Sequence, residues 1–477
     1  MRTLSCQACI LGTGPAGLGA AVELSRRGVA DILLVDRHPI VGGLARTETF
    51  GGARFDVGPH RFFTKNQEIN ALWREMLGKD FVPVDRLTRI FYRNRYFAYP
   101  VRPLDALLKL GPSRSIQALF SFAAQTFRPL DNAVTFEEWI TRRFGRTLYE
   151  TFFKTYTEKV WGIPCSQIGA EWAAQRIKGL DVLQVLTNAL GLNRSGSIKT
   201  LVEQFDYPVR GAGQMYEAMA ASADRTGARF LMSTQVRQIH RRDHTISAVD
   251  AENADGETTR VTAEHFFSSI PITTFIARCT PSLPREILRA SEALYYRDHI
   301  TVNLLIQKKA IFPDQWIYVH SPEVRMARIA NYTNFSPEMA GSSLCAPVSA
   351  EYFVFQNEDL WRRTDNELKD LAIDELVSLK LLERSQVADA WVVRETESYP
   401  TYYLGFREHY DTVRSAITQF TNLSPIGRGG LYKYNNQDHS TLSGLLAARA
   451  WLDPASATVS PWEVNTDDEY LEQGDRK

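Results

Sequence analysis

The chain has 477 residues, of which 44% are hydrophobic and 23% are charged, an ordinary composition for a globular protein. Lys and Arg number 55, as do Asp and Glu, so the formal net charge is zero. Zero net charge excludes a strongly basic protein and predicts no nucleic-acid partner. The length predicts two or more domains.

Two further features of the sequence concern its location. Five scattered cysteines argue against a disulfide framework and, with a start that is strand-like and not a charged cleavable signal, favour the cytoplasm. No run of about 18 apolar residues occurs, so no membrane-spanning helix is predicted. Residues 104–127 are amphipathic and are interpreted as a helix pair on a domain surface, without membrane contact; a membrane-lying helix is the alternative.

The first 45 residues predict a βαβ unit with a GxGxxG nucleotide-binding turn. A strand at residues 8–11 leads into Gly12-Thr13-Gly14-Pro15-Ala16-Gly17, a helix then extends to Gly28, and residues 32–35 form a buried parallel strand. Gly12 permits the tight turn, Gly14 lets the backbone approach a pyrophosphate, and Gly17 lets helix and sheet pack closely. Asp36 has the spacing of a carboxylate that accepts from ribose hydroxyls.

A second glycine turn, Gly42-Gly43-Leu44-Ala45-Arg46, follows the second strand and favours FAD over NAD. It offers another bare backbone to a phosphate or to the isoalloxazine; an ordinary loop is the alternative reading. The nearby Cys6-Gln-Ala-Cys9 resembles a redox motif, but Cys9 is better interpreted as a small buried hydrophobe.

The remaining pattern predicts an α/β fold, with a Rossmann-like FAD-binding domain and a mixed helical and antiparallel-sheet substrate domain. Helix is predicted over residues 136–201 and 366–382, strand over 230–246, 266–270, 301–306 and 351–355, and loop, strand and helix over 422–450. The FAD-binding domain is predicted to comprise residues 1–75, 205–272 and 412–455. The substrate domain takes residues 76–204 and 273–411, and residues 456–477 form a peripheral tail.

Several segments resemble the superfamily of FAD-dependent amine oxidases and protoporphyrinogen oxidase-like proteins, and most closely its UDP-galactopyranose mutase-like branch. The segments that carry the resemblance are 41–47, 58–65, 156–162 followed by Arg176, then Arg328, Glu351, 399–403 and 427–438.

The resemblance implies roles for individual residues. It places His60 beside the flavin, Arg176 and Arg328 at a diphosphate, and the rings of Trp161, Tyr402, Tyr403 and Tyr434 along the substrate. Arg37, Leu44, Arg46, Val236, Arg428, Tyr434 and Asp438 are predicted to complete the cofactor site. The alternatives are a structural histidine, interdomain salt bridges and aromatic core packing.

Three departures from the mutase pattern fall near the expected flavin. Phe63 stands where the mutase has a second histidine, Ser268-Ser269-Ile270-Pro271 replaces a Thr-Gly-x-Ile-Asp loop, and Gln437-Asp438-His439 replaces Met-Asp. These departures favour an FAD-dependent oxidoreductase that takes a hydride from a small molecule of sugar, nucleotide-sugar or other type. A reduced-flavin pyranose–furanose mutase is the alternative, and a non-catalytic flavin-binding protein is the third reading.

The sequence analysis also predicts how the cofactor is held. No cysteine or histidine stands in a context that demands a flavin linkage, so the FAD is predicted to be non-covalent. No metal site is predicted. The substrate, the electron acceptor and the oligomeric state are left open.

Overall fold

The computed structural model describes residues 1–101, 103–125, 133–170, 204–308, 311–455 and 457–464. The strands, numbered in chain order, are β1 (Arg2–Leu11), β2 (Ile32–Val35), β3 (Thr47–Phe50), β4 (Ala53–Asp56), β5 (Phe81–Asp85), β6 (Thr88–Tyr92), β7 (Arg95–Ala98), β8 (Gln204–Pro208), β9 (Arg229–Leu231), β10 (Thr234–Arg242), β11 (Thr245–Asn253), β12 (Thr258–Ser268), β13 (Cys279–Thr280), β14 (Tyr296–Ile306), β15 (Trp316–Val319), β16 (Arg328–Asn331), β17 (Ala346–Val354), β18 (Val387–Pro400) and β19 (Leu423–Pro425).

The described helices are α1 (Pro15–Arg26), α2 (Gln67–Leu77), α3 (Pro103–Leu110), α4 (Pro112–Ala123), α5 (Phe136–Phe144), α6 (Arg146–Tyr149), α7 (Thr155–Trp161), α8 (Gly213–Asp224), α9 (Ile272–Ala277), α10 (Arg285–Ala293), α11 (Asp359–Arg362), α12 (Asp365–Ser378), α13 (Phe406–Ile417), α14 (Gly427–Leu431) and α15 (Gln437–Leu452). A π-helical turn, Glu150–Lys154, connects α6 to α7. Within the described ranges, no helix is long and apolar enough to cross a membrane.

The first sheet is built around the βαβ unit. Its strand order is β13-β10-β11-β12-β1-β2-β9, with β19 added beside β12. Strands β19, β12, β1, β2 and β9 run parallel, and β2 is buried along its whole length, as expected for a parallel strand that is covered on both faces. The carboxyl ends of β1 and β2 therefore point to Gly12 and Asp36, where open parallel sheets bind ligands.

Helices α1 and α15 pack closely beside this sheet because glycines remove the side chains at their contact. A Cβ on Gly444 would overlap the carbonyl oxygen of Ala16, and a Cβ on Gly19 would lie 2.6 Å from the carbonyl oxygen of Thr441. This contact fixes the position of α15, whose N-terminal end borders the cofactor motif.

The second sheet has the order β18-β14-β17-β16-β15-β6-β7 and is antiparallel except for the β15–β6 pair. Strands β14 and β17 are buried over all of their residues. The strands predicted at residues 301–306 and 351–355 are confirmed as parts of β14 and β17, with the second ending one residue earlier than predicted. The 14-residue strand β18 and the shorter strands β5, β6, β7, β15 and β16 were not predicted.

Other predicted elements need correction at their ends. The helix predicted over 366–382 ends at Ser378, because Lys380 adopts a left-handed φ of 59° and the N–H of Leu381 bonds back to Leu376. The helical interpretation of 136–201 is confirmed for residues 136–144 and 146–161 and is wrong for residues 162–169, which form a turn, a 3₁₀ turn and isolated bridges. Residues 171–201 lie outside the described ranges. The strand-like stretch 230–246 is divided among β9, β10 and the start of β11.

Strand membership supports the proposed division into two discontinuous domains. The first sheet takes its strands from residues 2–35, 229–280 and 423–425, and the second takes its strands from 88–98, 296–354 and 387–400. Strand β13 joins the first sheet although it follows residue 272. The domain boundaries themselves remain a proposal.

The glycine contact between α1 and α15 gives a stability prediction. We expect Gly444→Ala to lower the free energy of unfolding by about 1–3 kcal/mol, because the added methyl group overpacks a backbone contact. Gly169→Ala is the matched control, since a Cβ at that position meets no atom within 4 Å. Urea unfolding of both variants measures the difference, and equal stability of the two would contradict the packing argument.

Candidate cofactor and active site

A cleft of about 1180 Å³, a volume that includes its open mouth, lies at the carboxyl ends of β1 and β2. Nine predicted cofactor or catalytic residues line it: Gly12, Gly14, Asp36, Arg37, Gly43, Leu44, His60, Val236 and Arg428. The structure thus brings together residues from the βαβ unit, from β10 and from the C-terminal segment around α14. Gly17, Gly42, Arg46, Tyr434 and Asp438 are outside the lining.

The two glycine turns form one phosphate-sized cradle. Gly12 has a φ of +113°, and a Cβ on Gly43 would lie only 3.1 Å from the Cα of Gly14. Helix α1 begins directly after Gly14 and has no side-chain cap, so its first N–H groups are not occupied by a side chain. Uncapped N–H groups at a helix N-terminus suit an anionic group such as a pyrophosphate.

Asp36 is held rigidly at the end of β2. Its Oδ2 accepts from the N–H of Thr13 at 2.6 Å and from the hydroxyl of Thr13 at 2.8 Å, and its Oδ1 accepts from the N–H of His38 at 2.9 Å. Each carboxylate oxygen has further acceptor capacity. The fixed position at the strand end fits the ribose-binding role predicted for this residue.

A buried ion pair connects the second glycine turn to β18. The side chains of Arg46 and Glu395 are 3% and 2% exposed and are in direct contact, and Arg46 also donates to Glu48 at 2.7 Å and to the carbonyl of Gly43 at 3.0 Å. Arg37 lies 3.8 Å from the same Glu395 carboxylate. The charge of Arg46 is thus shared between two carboxylates, behind the cleft.

His60 borders the cleft as a neutral side chain. Its Nε2 lies 2.9 Å from the carbonyl oxygen of Leu44, which couples the imidazole to the second glycine turn. Burial lowers the pKa of His60 to about 4, and the positive charges of Arg428 and Arg328 act in the same direction. With one nitrogen engaged by backbone and the ring uncharged, His60 is a poor proton acceptor at neutral pH.

Arg428 connects the cleft to the stacked rings of Tyr399 and Tyr434, which together form an aromatic wall. Its Nε donates to the carbonyl of Asn435 at 2.9 Å and its Nη1 donates to the carbonyl of Ser398 at 3.1 Å. Its guanidinium lies 4.7 Å from the ring centroid of Tyr399 and 5.2 Å from that of Tyr434. These two tyrosines stack with centroids 5.4 Å apart.

Arg328, whose charge acts on Tyr399, is oriented by Glu351. The two residues face each other in the β16–β17 register, and Glu351 is fully buried. The Nε and Nη2 of Arg328 both donate to the Glu351 carboxylate in a bidentate pair, and the ring of Phe353 packs beneath the guanidinium at 5.9 Å. This geometry leaves the Nη1 edge of Arg328 without a protein acceptor among the described residues.

Lys159 stabilises the loop between β15 and β16. Its ammonium donates to the carbonyls of Val319, Ser321 and Met326 at 3.2, 2.7 and 3.0 Å. These three bonds hold the loop between β15 and β16, which leads to Arg328. Its place in the mutase-like signature is therefore explained without a ligand contact.

The other predicted aromatic positions divide between the wall and the core. The ring of Trp161 stacks with Tyr402 at 6.4 Å and contacts Tyr434 at 5.9 Å, while the Tyr402 hydroxyl accepts from the N–H of Tyr434 at 2.8 Å. Tyr403 instead stacks on Tyr295 and donates to the carbonyl of Ala293 at 2.7 Å. The structure does not bring Tyr403 to the cleft, and Arg176 lies outside the described residues.

Sequence reasoning missed much of the cleft lining. The lining residues that were given no individual role in advance lie partly within motifs already named in the sequence and partly at the ends of distant strands and loops: Pro15, Ala16, Val35, His38, Ala45, Thr234, Gln235, Ser269, Ile270, Pro271, Thr274, Arg278, Glu395, Thr396, Glu397, Gly427, Gly429, Asn435, Asn436, Gln437 and Ser440. The departure from the mutase pattern at Ser268–Pro271 had indicated part of this set. Glu395 had no signal, because its strand was not predicted.

The buried ammonium of Lys159 gives a testable pH dependence. Burial lowers its pKa to about 8, whereas an unfolded chain has a lysine pKa of about 10.4. Between these values the unfolded chain binds more protons, so this group makes the free energy of unfolding rise with pH. Lys159→Met removes that contribution, and the stability advantage of the unaltered protein should grow by up to about 1.4 kcal/mol per pH unit across this window.

Urea unfolding at several pH values between 8 and 10 measures this difference. Lys79→Met, at an exposed position, is the control and should show a constant offset from the unaltered protein. A constant offset for Lys159→Met as well would contradict the assignment of a buried ammonium.

Comparisons with known proteins place this geometry in a family. A probable UDP-galactopyranose mutase of Klebsiella pneumoniae is 26% identical over 181 residues, an alignment that covers 34% of this chain and only 42% of that relative. The crystal structure of a reduced UDP-galactopyranose mutase superimposes with a TM-score of 0.82 at 20% identity, covering 98% of this chain and all of the other. Putrescine oxidase bound to putrescine gives a TM-score of 0.62 at 16% identity, over 94% of this chain and all of the other.

The family model of the flavin-containing amine oxidoreductases matches residues 15–452, which is nearly the whole chain. The glycine cradle, the uncapped start of α1 and the anchored Asp36 fit the pyrophosphate and ribose of the cofactor. The chain belongs to the flavin-containing amine oxidoreductase family and is an FAD-binding flavoprotein.

Proposed function

We propose that this flavoprotein is an oxidoreductase that transfers a hydride from a small molecule to FAD. The observation that carries the proposal is the contact of Arg428, which lines the cofactor cleft, with the rings of Tyr399 and Tyr434. The charge of Arg328 also acts on Tyr399. A substrate that rests on these rings would lie on the other side of Arg428 from the cofactor cleft.

The wall suits a flat or ring-shaped molecule that carries a polar or anionic group. Tyrosine faces give contact area to a sugar or another ring, and the free edge of Arg328 can donate to one ligand oxygen. Because Glu351 already holds the other edge, the guanidinium is oriented before the ligand binds. This preorganisation limits the entropy that is lost on binding.

The chemistry divides between the cofactor and the chain. FAD, when bound, supplies the hydride acceptor. In the described residues, His60 stays neutral and bonded to Leu44, and Arg328, oriented by Glu351, is proposed to orient the substrate. This arrangement suits a donor that can lose hydride without prior loss of a proton to His60.

A second candidate function is a pyranose–furanose isomerisation that uses reduced flavin without net redox change. Arg328 supports it, because an arginine that is oriented by a buried carboxylate is suited to hold a phosphate oxygen. The similarity to a named UDP-galactopyranose mutase supports it as well. Gln437 argues against an unchanged mutase site, because its side chain is used by Tyr216 and by the carbonyl of Arg61, at 2.9 and 2.8 Å.

We also propose that FAD is held non-covalently and that Asp36 contributes strongly to its affinity. Asp36→Asn should weaken FAD binding about 10–100-fold, because hydrogen bonds to a charged acceptor contribute about 1.5–3 kcal/mol. Titration of the apoprotein with FAD, followed by flavin fluorescence, measures this loss. Acid precipitation of the unaltered holoprotein should release the yellow cofactor into the supernatant.

The matched control for Asp36 is Asp31→Asn. Asp31 precedes the same strand but pairs with Arg229 at the surface, with both side chains nearly half exposed. Equal FAD affinity of the two variants would contradict the role proposed for Asp36. A yellow protein pellet would contradict the non-covalent attachment.

One anaerobic experiment separates the two candidate reactions. Oxidised holoenzyme and dithionite-reduced holoenzyme are each given a panel of nucleotide sugars, simple sugars and amines, while flavin absorbance and sugar ring form are recorded. An oxidoreductase bleaches its oxidised flavin with one compound class, and we expect this outcome. Ring conversion by the reduced enzyme alone, without reoxidation of the flavin, would replace the proposal with the mutase reaction.

A variant tests whether the wall binds the substrate. Tyr399→Phe keeps the stacked ring and Tyr399→Ala removes it, so the alanine variant should raise KM about tenfold or more for any substrate found, while the phenylalanine variant stays near the unaltered enzyme. Equal KM values for the two variants would place the substrate elsewhere.

A further inference from the structure

The guanidinium of Arg428 differs from the other charged groups of the cleft in its partners. It is held by two backbone carbonyls and by the faces of two tyrosine rings. These partners are electron-rich but carry no net charge, so they fix the cation in place without cancelling its charge.

Two other arginines at or behind the cleft have close carboxylate neighbours. Arg37 lies 3.8 Å from Glu395, and Arg46 pairs with both Glu395 and Glu48. Arg278, among the described residues, has no carboxylate within 4.0 Å, and the negative charge of Glu397 acts on it from farther away. In the part of the chain that the structure describes, no carboxylate lies within 4.0 Å of the Arg428 guanidinium.

The immediate neighbourhood of Arg428 also lacks a compensating titratable group. His60 is kept neutral there, and the charge of Arg428 contributes to that effect together with burial. The hydroxyl of Tyr399 is held protonated, because burial raises its pKa. The charge of Arg428 is therefore not cancelled by an immediate partner, although the cleft lining also includes Asp36, Glu395 and Glu397.

We propose that Arg428 raises the two-electron reduction potential of the bound flavin by stabilising its reduced, anionic form. Oxidised flavin that takes up two electrons and one proton becomes a hydroquinone anion, so the ring system gains one negative charge. A fixed cation that lines the cofactor cleft favours the state with that charge. The proposal depends on FAD binding alone and applies to either candidate reaction.

The test measures the potential of the flavin in the holoenzyme, without substrate. Reduction by dithionite in equilibrium with a dye of known potential is followed for the unaltered enzyme, Arg428→Gln and Arg428→Lys. We expect Arg428→Gln to make reduction at least tenfold less favourable, which is about 30 mV for a two-electron couple. Arg428→Lys keeps the charge and should recover most of the difference.

A second measurement uses sulfite, which adds to the flavin N5 and leaves a negative charge on the ring system. The dissociation constant of the sulfite adduct should rise at least tenfold in Arg428→Gln. Arg260→Gln is the control outside the cleft, because the charge of Arg260 is paired with Asp250 at 2.7 Å. In this control, the equilibrium constants for flavin reduction and for sulfite binding should stay within about twofold of those of the unaltered enzyme.

Three outcomes would overturn the proposal. The first is an unchanged potential in Arg428→Gln, and the second is an equal loss in Arg260→Gln. If Arg428→Gln does not retain FAD, the reduction potential of the flavin in the unaltered enzyme is the test. Its bound flavin must be easier to reduce than free FAD, and a potential below that of free FAD would contradict the assignment to Arg428.

Discussion

The cofactor site depends on a close contact between two glycine turns, in which backbone meets backbone with no side chain between. Gly14 and Gly43 approach so closely that a Cβ on Gly43 would lie 3.1 Å from the Cα of Gly14, and a Cβ on Gly17 would overlap the carbonyl oxygen of Gly12. No side chain fits between the two turns, so the surface offered to the cofactor consists of peptide groups and the start of α1. Peptide N–H groups recognise phosphate without charge, which agrees with the zero net charge of the chain.

Other glycine contacts determine where the C-terminal segment lies. Gly17 lets α1 pack closely on the first turn, and Gly19 and Gly444 let α15 pack closely on α1. The loop before α15 carries Asn435, whose carbonyl accepts from the Nε of Arg428. Backbone contacts within α1 thus help to position a cation about 400 residues later in the chain.

A buried ion pair connects the second sheet to the glycine turns of the cofactor site. The buried pair of Arg46 and Glu395 fixes β18 beside the second glycine turn, and loss of one partner of such a pair costs about 3–5 kcal/mol. Because Glu395 is fixed, Ser398 and Tyr399 on the same strand come to lie against Arg428. This ion pair, the bond of Arg37 to Thr396 and the bond of Thr274 to Glu397 together hold β18 beside the cofactor cleft.

The sequence predicted the cofactor half better than the substrate half, for a physical reason. Glycine spacing and the position of Asp36 are local in the chain, so the motif could be read directly. The pairing of Arg328 with Glu351 depends on the β16–β17 register, and the role of Lys159 depends on three carbonyls that are about 160 residues away. Strand β18 escaped prediction because its residues 387–400 mix charged and apolar positions without regular alternation.

This division explains why proteins named as oxidases and mutases share the fold. The phosphate-binding motif is made of backbone, whereas the pairing of residues such as Arg328 and Glu351 depends on strand register. The departures from the mutase pattern are side-chain changes within the predicted FAD-binding segments: Ser269–Pro271 lines the cleft, and Gln437 is tied to Tyr216 and Arg61. The reaction must therefore be argued from such side chains and from the field that Arg428 imposes, because the fold alone specifies only that FAD is bound.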